Sequence, residues 1–327
     1  TSPVRFGMEE PAVYLASGGT TGEPKIIAHN NFVFNNLCGK ADEFLSEPLE
    51  RYTALYNVLP IFHGFGLCIN MHMCMMMRAT NIMCIKFNAG MSAKQIIREK
   101  ANILTGVPTM FLKLLGEKTF TEGDLSNLKD VYVGGDSVPD SLVREFNAAL
   151  SAGGSTAKMY IGYGLTETVT VCLVNTLRHN CPSSIGYPLS NTEVRIYKDG
   201  ARLPAGEVGE IYLHTDQFML GYLGEEHAPF AEEDGKKWLK TGDYGWLNED
   251  GFLFFKQRIK NMIKVSGVPV YPSEIEEAVL AVPGVKKACA VGKDDAVRGQ
   301  VVKLFVEIDE SADEHALSAE IQKVCRE

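Results

Sequence analysis

The stretch DVYVGGDSVPDSLVREFNAALSAGGSTAKMYIGYG, residues 130–164, decides the fold class. It opens on a short apolar strand pattern that ends in paired glycines. It continues into PDSLVREFNAALSAG at 139–153, where a proline near the start and a glycine just beyond the end mark a helix. AKMYIGYG at 157–164 is a second strand pattern running into a glycine turn. Upstream, ANILTGVP at 101–108 repeats the strand-then-turn pattern, and AVYLA at 12–16 reads as a short buried strand feeding the loop 17–25. A helix is expected from about Asn30 to Phe44, with Asn30 or Asn31 as its N-cap. Strands alternating with helices predict an α/β fold with a mainly parallel sheet and flanking helices. Such sheets bind ligands at the carboxyl ends of their strands, where these glycine turns fall.

Working outward, the texture changes at Ile185. EVRIY, GEIYLHT, WLKTGDYGWL and GFLFFKQR are short β-rich runs punctuated by Asp-Gly turns, which predicts an antiparallel subdomain. Beyond Lys260, PSEIEEAVLAV reads as a helix and KKACAVGKD and VVKLFVEID as strands, so a small α+β unit is expected there. The resulting division is a large domain over 1–259 and a smaller one over 260–327. The chain opens at Thr1 without an initiator Met and stops at Glu327 inside a helical pattern, so it reads as a fragment. Its 32 basic and 41 acidic side chains leave a net charge of −9, which argues against a general nucleic-acid binder. No apolar run reaches the ~18 residues of a membrane span. The eight cysteines contain no C-x-x-C pair and read as reduced, mostly buried thiols of a cytoplasmic protein.

The sharpest chemical feature is the loop Ser17-Gly18-Gly19-Thr20-Thr21-Gly22-Glu23-Pro24-Lys25. Its glycines let backbone N–H groups converge on an anion, its hydroxyls can donate, and Lys25 adds positive charge, a combination suited to a polyphosphate. The spacing is not that of a Walker A loop, and a flexible surface turn is the plainer alternative. In Tyr163-Gly164-Leu165-Thr166-Glu167, the tyrosine can lay its ring on a flat base. Thr166 can donate to a phosphate oxygen, and Glu167 can hold magnesium, a hard cation that prefers oxygen ligands and substrate phosphates. Ordinary turn chemistry explains the same pentapeptide. Asp243, in Thr241-Gly242-Asp243, is suited to accept two ribose hydroxyls. Arg258 and Lys260, which lead into Ile263-Lys264-Val265-Ser266-Gly267, are by themselves basic residues of a solvated face. MHMCMMM at 71–77, with His63, His72 and Cys74, can be drawn as a soft copper site, but a sulfur-rich helix filling an apolar core is favoured.

These pieces in this order resemble the adenylate-forming superfamily. The carrying residues are SGGTTGEPK at 17–25, LPIFHGFG at 59–66, VGGDSVP at 133–139, YGLTET at 163–168, WLKTGDYGWLNEDG at 238–251 and RIKNMIKVSGVPVYPSEIEE at 258–277. The likeness is to the acyl-CoA synthetase branch, with an adenylation domain serving a carrier-protein pantetheine, or a non-catalytic nucleotide-binding module, as alternatives. It implies ATP or AMP, Mg2+ and coenzyme A as partners of the chain, with a small-molecule carboxylic acid, fatty or other, as substrate. By this similarity Ser17, Gly18, Gly19, Thr20, Thr21, Gly22 and Lys25 embrace the β- and γ-phosphates. Gly135 and Asp136, with Tyr163 and Gly164, frame the adenine. Thr166 and Glu167 serve the α-phosphate and magnesium, Asp243 with Arg258 holds the ribose, and Lys260 is the hinge of a mobile small domain. His63, after Phe62, lies near the carboxylate and the thiol approach, and Gly267 lets a pantetheine arm pass. The family's N-terminal region and the Gly-Lys segment that carries its adenylation lysine are absent, so impaired adenylation is expected of the fragment. The apolar flavour of 61–85 suits a fatty acyl chain as readily as an aromatic acid. Oligomeric state leaves no mark in the sequence, a homodimer remaining open.

Overall fold

The computed structural model describes residues 7–17, 25–225, 228–295, 297–309 and 313–325. These fall into two compact units, one drawn from residues 1–195, 212–241 and 247–254, the other from 196–211, 242–246 and 255–327.

In the first unit, β1 (Val13–Ala16) and β2 (Ile26–His29) precede α1 (Asn31–Gly39) and α2 (Ala41–Phe44). Then come β3 (Ala54–Asn57), a π-helical segment at Phe65–His72, α3 (Met73–Met76), β4 (Thr80–Met83), α4 (Ala89–Arg98) and β5 (Ile103–Gly106). Next follow α5 (Pro108–Leu115), α6 (Lys118–Thr121), β6 (Asp130–Val133), α7 (Asp140–Ala152) and β7 (Met159–Gly164), and then β8 (Val171–Val174) and β9 (Tyr187–Pro188). The main sheet runs β4-β3-β5-β6-β7-β8-β9. Its pairs are parallel from β4 to β7, with Ile103 opposite Asp130 and Val133 opposite Ile161. The last two pairs are antiparallel. The expected mainly parallel sheet is therefore present.

Alternation along these strands feeds two cores, because successive side chains of a strand point to opposite faces. Tyr56, Leu104, Val131, Val133, Met159 and Ile161 face a cluster that includes Phe111 of α5, Phe120 of α6 and Phe146 of α7. Leu55, Ile103, Tyr132 and Tyr160 face the other cluster, with Phe34 and Leu37 of α1, Phe44 of α2 and Met73 of α3. Covering both faces makes every residue of β3, β5 and β6 buried, so their sequences are mostly apolar rather than alternating. Asp130, the one charge among them, is fully buried. It accepts from the hydroxyls of Ser46, Tyr52 and Tyr132, a satisfied site that makes its burial tolerable.

Two expectations change in detail. The strand at 12–16 does not join the parallel sheet; it pairs antiparallel with β2, Ala16 opposite Ile26, and Tyr14 is exposed. The helix expected over 30–44 is two helices. Asn30 does cap the first, its Oδ1 accepting from the Val33 amide at 3.1 Å. The break falls at Lys40, whose buried ammonium donates to the Ser190 carbonyl and to Asp216 at 2.6 Å.

From Glu193 to Arg258 the chain is mostly strand: β10 (Glu193–Lys198), β11 (Ala201–Arg202), β12 (Gly209–His214), β13 (Gly221–Tyr222), β14 (Phe230–Glu233), β15 (Lys236–Leu247) and β16 (Leu253–Arg258). The hairpins β10–β11 and β14–β15 turn on Asp199-Gly200 and Asp234-Gly235. Both residues of each pair have positive φ, the conformation that two-residue hairpin turns need and that Asp-Gly supplies. In the second unit β17 (Ile263–Val265), β18 (Val268–Val270), α8 (Pro272–Leu280), β19 (Val285–Asp295), β20 (Gly299–Ile308) and α9 (Glu314–Val324) follow, with sheet order β18-β17-β20-β19. The small α+β region expected after Lys260 is present.

Candidate functional site

Ser17 and Lys25 close the base of the glycine-rich loop. The Ser17 amide donates to the Lys25 carbonyl at 2.8 Å, and the Lys25 amide donates to the Ser17 hydroxyl at 3.1 Å. The loop thus caps the β1–β2 hairpin. Gly18, Gly19, Thr20, Thr21 and Gly22 lie outside the described residues. The short strand β13 adds to the other side of β2, Tyr222 opposite Ile27, and completes a three-stranded sheet. That pairing sets the Lys25 ammonium 4.4 Å from the centre of the Tyr222 ring, and the same ammonium pairs with Glu225 at 2.7 Å.

Tyr222 reaches a second candidate. Its hydroxyl donates to Glu167 Oε1 at 2.9 Å, and burial followed by the Glu167 charge pushes the phenol's pKa up, so it is a neutral donor. The Glu167 backbone is held too, its carbonyl accepting from the Met219 amide at 2.8 Å. The Thr166 carbonyl accepts from His29 Nε2 at 2.8 Å, which fixes the tautomer. His29 is fully buried, and burial lowers its pKa from 6.5 to about 4 against the smaller opposing effect of that hydrogen bond. Its Nδ1 has no partner among the described residues.

The turn carrying Thr166 and Glu167 is tightly folded. Val169 has φ 67° and ψ −58°, and the Thr170 amide donates across it to the Thr168 carbonyl at 2.8 Å. This is a γ-turn of the strained hand, unusual for a β-branched residue. The Thr170 carbonyl then lies 1.5 Å from where a Cβ on Gly164 would sit, so only glycine fits. Gly164 and Tyr163 end β7, and Gly135 and Asp136 follow β6 on the neighbouring parallel strand. Because Val133 is opposite Ile161, the pleat brings residues 135 and 163 to the same level at the carboxyl ends. Gly135 takes φ 82°, a left-handed turn that keeps it and Asp136 exposed.

His63 enters the same unit from another side. A Cβ on Gly64 would lie 1.8 Å from the Val169 carbonyl, so the His63 loop is in direct contact with the γ-turn. The Phe65 amide donates to His63 Nδ1 at 3.2 Å, and burial of the ring among its neighbours lowers its pKa although the residue keeps an exposed face. Phe62 beside it is 77% exposed. In the segment drawn as a soft-metal alternative, His72 Nε2 pairs with Asn35 and the Cys74 thiol donates to the Ala79 carbonyl. Among the described residues no three His, Cys, Asp or Glu side chains cluster to hold a metal. Met73 and Cys74 are core, as expected, while Met75 and Met76 are exposed.

Thr166, Glu167, Lys25, Tyr163, Gly164, Gly135, Asp136 and His63 therefore belong to one unit. Asp243, Arg258, Lys260 and Gly267 belong to the other. There, Asp243 is 1% exposed and pairs with Arg258 Nε at 3.4 Å. Lys260 is exposed in a short helical turn after β16. Ser266 and Gly267, both at positive φ, form the two-residue turn of the β17–β18 hairpin.

The sequence profile of the AMP-binding enzyme family matches residues 1–223, well over half of the chain. The chain belongs to that family. The profile of the AMP-binding enzyme C-terminal domain matches residues 274–327. A long-chain-fatty-acid–CoA ligase of Haemophilus influenzae is 31% identical over 98% of the chain and 56% of its own length. One of Bacillus subtilis is 32% identical over 92% of the chain and 53% of its own length. The chain thus spans about half the length of the curated relatives it matches. Among solved structures, o-succinylbenzoate CoA synthetase of Bacillus subtilis, in complex with its acyl-adenylate intermediate, superposes with a TM-score of 0.82. It is 26% identical, and the match covers 98% of this chain and 63% of that one.

Sequence reasoning missed Tyr222 and Glu225. Tyr222 is 55 residues from Glu167, and Glu225 is 200 from Lys25. Nothing local in GYLGE, residues 221–225, signals either contact.

Proposed function

We propose that the chain carries the nucleotide-gripping part of an acyl-CoA synthetase. A carboxylate attacks the α-phosphorus of ATP to give acyl-AMP and pyrophosphate, and the thiol of coenzyme A then attacks the acyl carbon to give the thioester and AMP. The observation that carries this reading is the chain Lys25–Tyr222–Glu167, which ties the lysine expected at the phosphates to the carboxylate expected at the metal. The names of the relatives, CoA ligases and a CoA synthetase, favour coenzyme A as the thiol acceptor.

On this reading Lys25 and the loop 17–25 neutralise the β- and γ-phosphates, and Thr166 donates to the α-phosphate. A negatively charged nucleophile is repelled by a triphosphate, so fixed donors and positive charge are what the step needs. Glu167 fits Mg2+: one carboxylate oxygen is held by Tyr222, and the pair accords with a magnesium site made from one protein carboxylate and substrate phosphates. Bound there, the ion would supply charge neutralisation to the leaving pyrophosphate. Gly135, Asp136, Tyr163 and Gly164 would frame the adenine at the strand ends, and Asp243 with Arg258 would take the ribose. Lys260 would be the hinge between a domain over 1–259 and one over 260–327, and Gly267 would admit the pantetheine. His63, with Nδ1 accepting from the Phe65 amide and the ring held neutral, would serve the approach of carboxylate and thiol without adding charge.

The test is calorimetric titration of the chain with ATP and Mg2+, followed by a thioester assay with a panel of carboxylic acids on the protein extended to the relatives' length. Binding, with thioester formed on free coenzyme A, is the expected result. Failure of the chain to bind ATP or AMP would overturn the reading, and thioester formed only on a carrier protein would overturn the choice of acceptor.

A further inference from the structure

Resting on the reading above, we infer that Tyr222 is a positioning residue for both halves of the phosphate-and-metal site, its hydroxyl aiming Glu167 and its ring seating Lys25. Three observations converge on it. The hydroxyl donates to Glu167 Oε1 at 2.9 Å, and the ring centre lies 4.4 Å from the Lys25 ammonium. The backbone around Tyr222 is pinned to β2 on both sides, the Leu220 amide donating to the Ala28 carbonyl and the Leu223 amide to the Ile26 carbonyl, each at 2.8 Å. The strand that carries the ring is therefore bonded to the strand that follows Lys25. Met219, three residues before Tyr222, holds the Glu167 carbonyl as well.

The consequence is mechanical. Glu167 sits on a turn, where a carboxylate has rotamer freedom that must be removed before it can hold a cation at fixed range. A hydrogen bond to one oxygen removes that freedom and leaves the second oxygen to the ion, the usual arrangement behind a metal-binding carboxylate. Lys25 has a long, flexible stem, and an aromatic face gives its ammonium a seat without consuming its hydrogen-bond donors. Glu225, at 2.7 Å from the same ammonium, holds it from the other side. A phenylalanine at 222 would keep the seat and lose the aim; a leucine would lose both.

The experiment measures ATP affinity with and without Mg2+, and Mn2+ binding to the ATP complex by electron paramagnetic resonance, for the wild type, Tyr222→Phe, Tyr222→Leu and Glu167→Gln. Tyr222→Phe should leave metal-free ATP affinity unchanged and weaken Mn2+ binding by about 10–100-fold, as loss of a carboxylate's supporting partner does. Tyr222→Leu should add a loss of about two- to fivefold in metal-free ATP affinity. The ratio of metal-bound to metal-free affinity within one variant does not depend on its folded fraction, so partial unfolding of a variant does not blur the result. If Glu167→Gln weakens Mn2+ binding and Tyr222→Phe does not, the inference about Tyr222 is wrong and the nucleotide reading stands. If Glu167→Gln changes nothing, the metal role of Glu167 falls and takes this inference with it.

Discussion

His29 shows what a single buried group does to the turn it supports. With its pKa lowered from 6.5 to about 4, it is neutral in the folded protein at pH 5, whereas in the unfolded chain it is mostly protonated. The unfolded state therefore binds the extra proton, and stability falls as pH drops from about 6.5 towards 4, then stops falling on this account below that. The loss is about 2 kcal/mol by pH 5. Urea unfolding at pH 7.5 and pH 5 should show a smaller pH-dependent loss in His29→Gln than in wild type; identical losses would mean that His29 titrates normally. Gly164 makes a steric prediction. Gly164→Ala sets a methyl against a backbone carbonyl at 1.5 Å, which cannot swing aside, so its cost should reach or exceed the about 1–3 kcal/mol of ordinary overpacking. Thermal unfolding checks this, and an unchanged midpoint would contradict the geometry. Asp243→Ala should weaken AMP binding by about 1.5–3 kcal/mol if the carboxylate accepts the ribose hydroxyls, measured by calorimetry. At this scale the sequence revealed residues whose type is chemically marked: a lysine after glycines, a carboxylate in a tight turn. It did not reveal Tyr222, because a tyrosine is unremarkable until the strand it sits on is paired.

Among the elements, α7 was legible because its ends and its apolar face agree: Pro139 before it, Gly153 after it, and Leu142, Phe146 and Leu150 all buried. Phe146 is fully buried with its ring 4.9 Å from Phe111 and 5.3 Å from Phe120. Phe146→Ala should cost about 3–5 kcal/mol in urea unfolding, whereas Leu112→Ala, at a side chain 50% exposed on α5, should stay within about 0.5 kcal/mol. Equal costs would mean that the helices do not cover the sheet as described. Of the parallel strands, β5, β6 and β7 were legible in another form, apolar runs meeting glycine turns, whereas β3 and β4, which end on no such turn, were not read. β1 was read only as a short buried strand because five residues carry no record of their partner: AVYLA fits a buried parallel strand and an exposed hairpin arm equally well. Asp-Gly at 199–200 and 234–235 fared better, since the turn residue itself dictates the backbone.

For the whole molecule, the order of the motifs carried more than any one of them. SGGTTGEPK and YGLTET are each ordinary turn chemistry alone, and both fall within residues 1–223, the span that the AMP-binding family profile matches. What the order does not contain is which motifs touch, since that depends on β13 bridging to β2 across the length of the first unit. The account stands on Lys25 and Glu167 acting on one ligand through Tyr222. The most direct test is a double-mutant cycle on ATP affinity in the presence of Mg2+, using Lys25→Met, Glu167→Gln and the double variant. Wild type should bind, each single variant should bind more weakly, and the double loss should fall short of the sum by about 0.5 kcal/mol or more. Strictly additive losses, or a wild-type chain that does not bind ATP, would contradict the account.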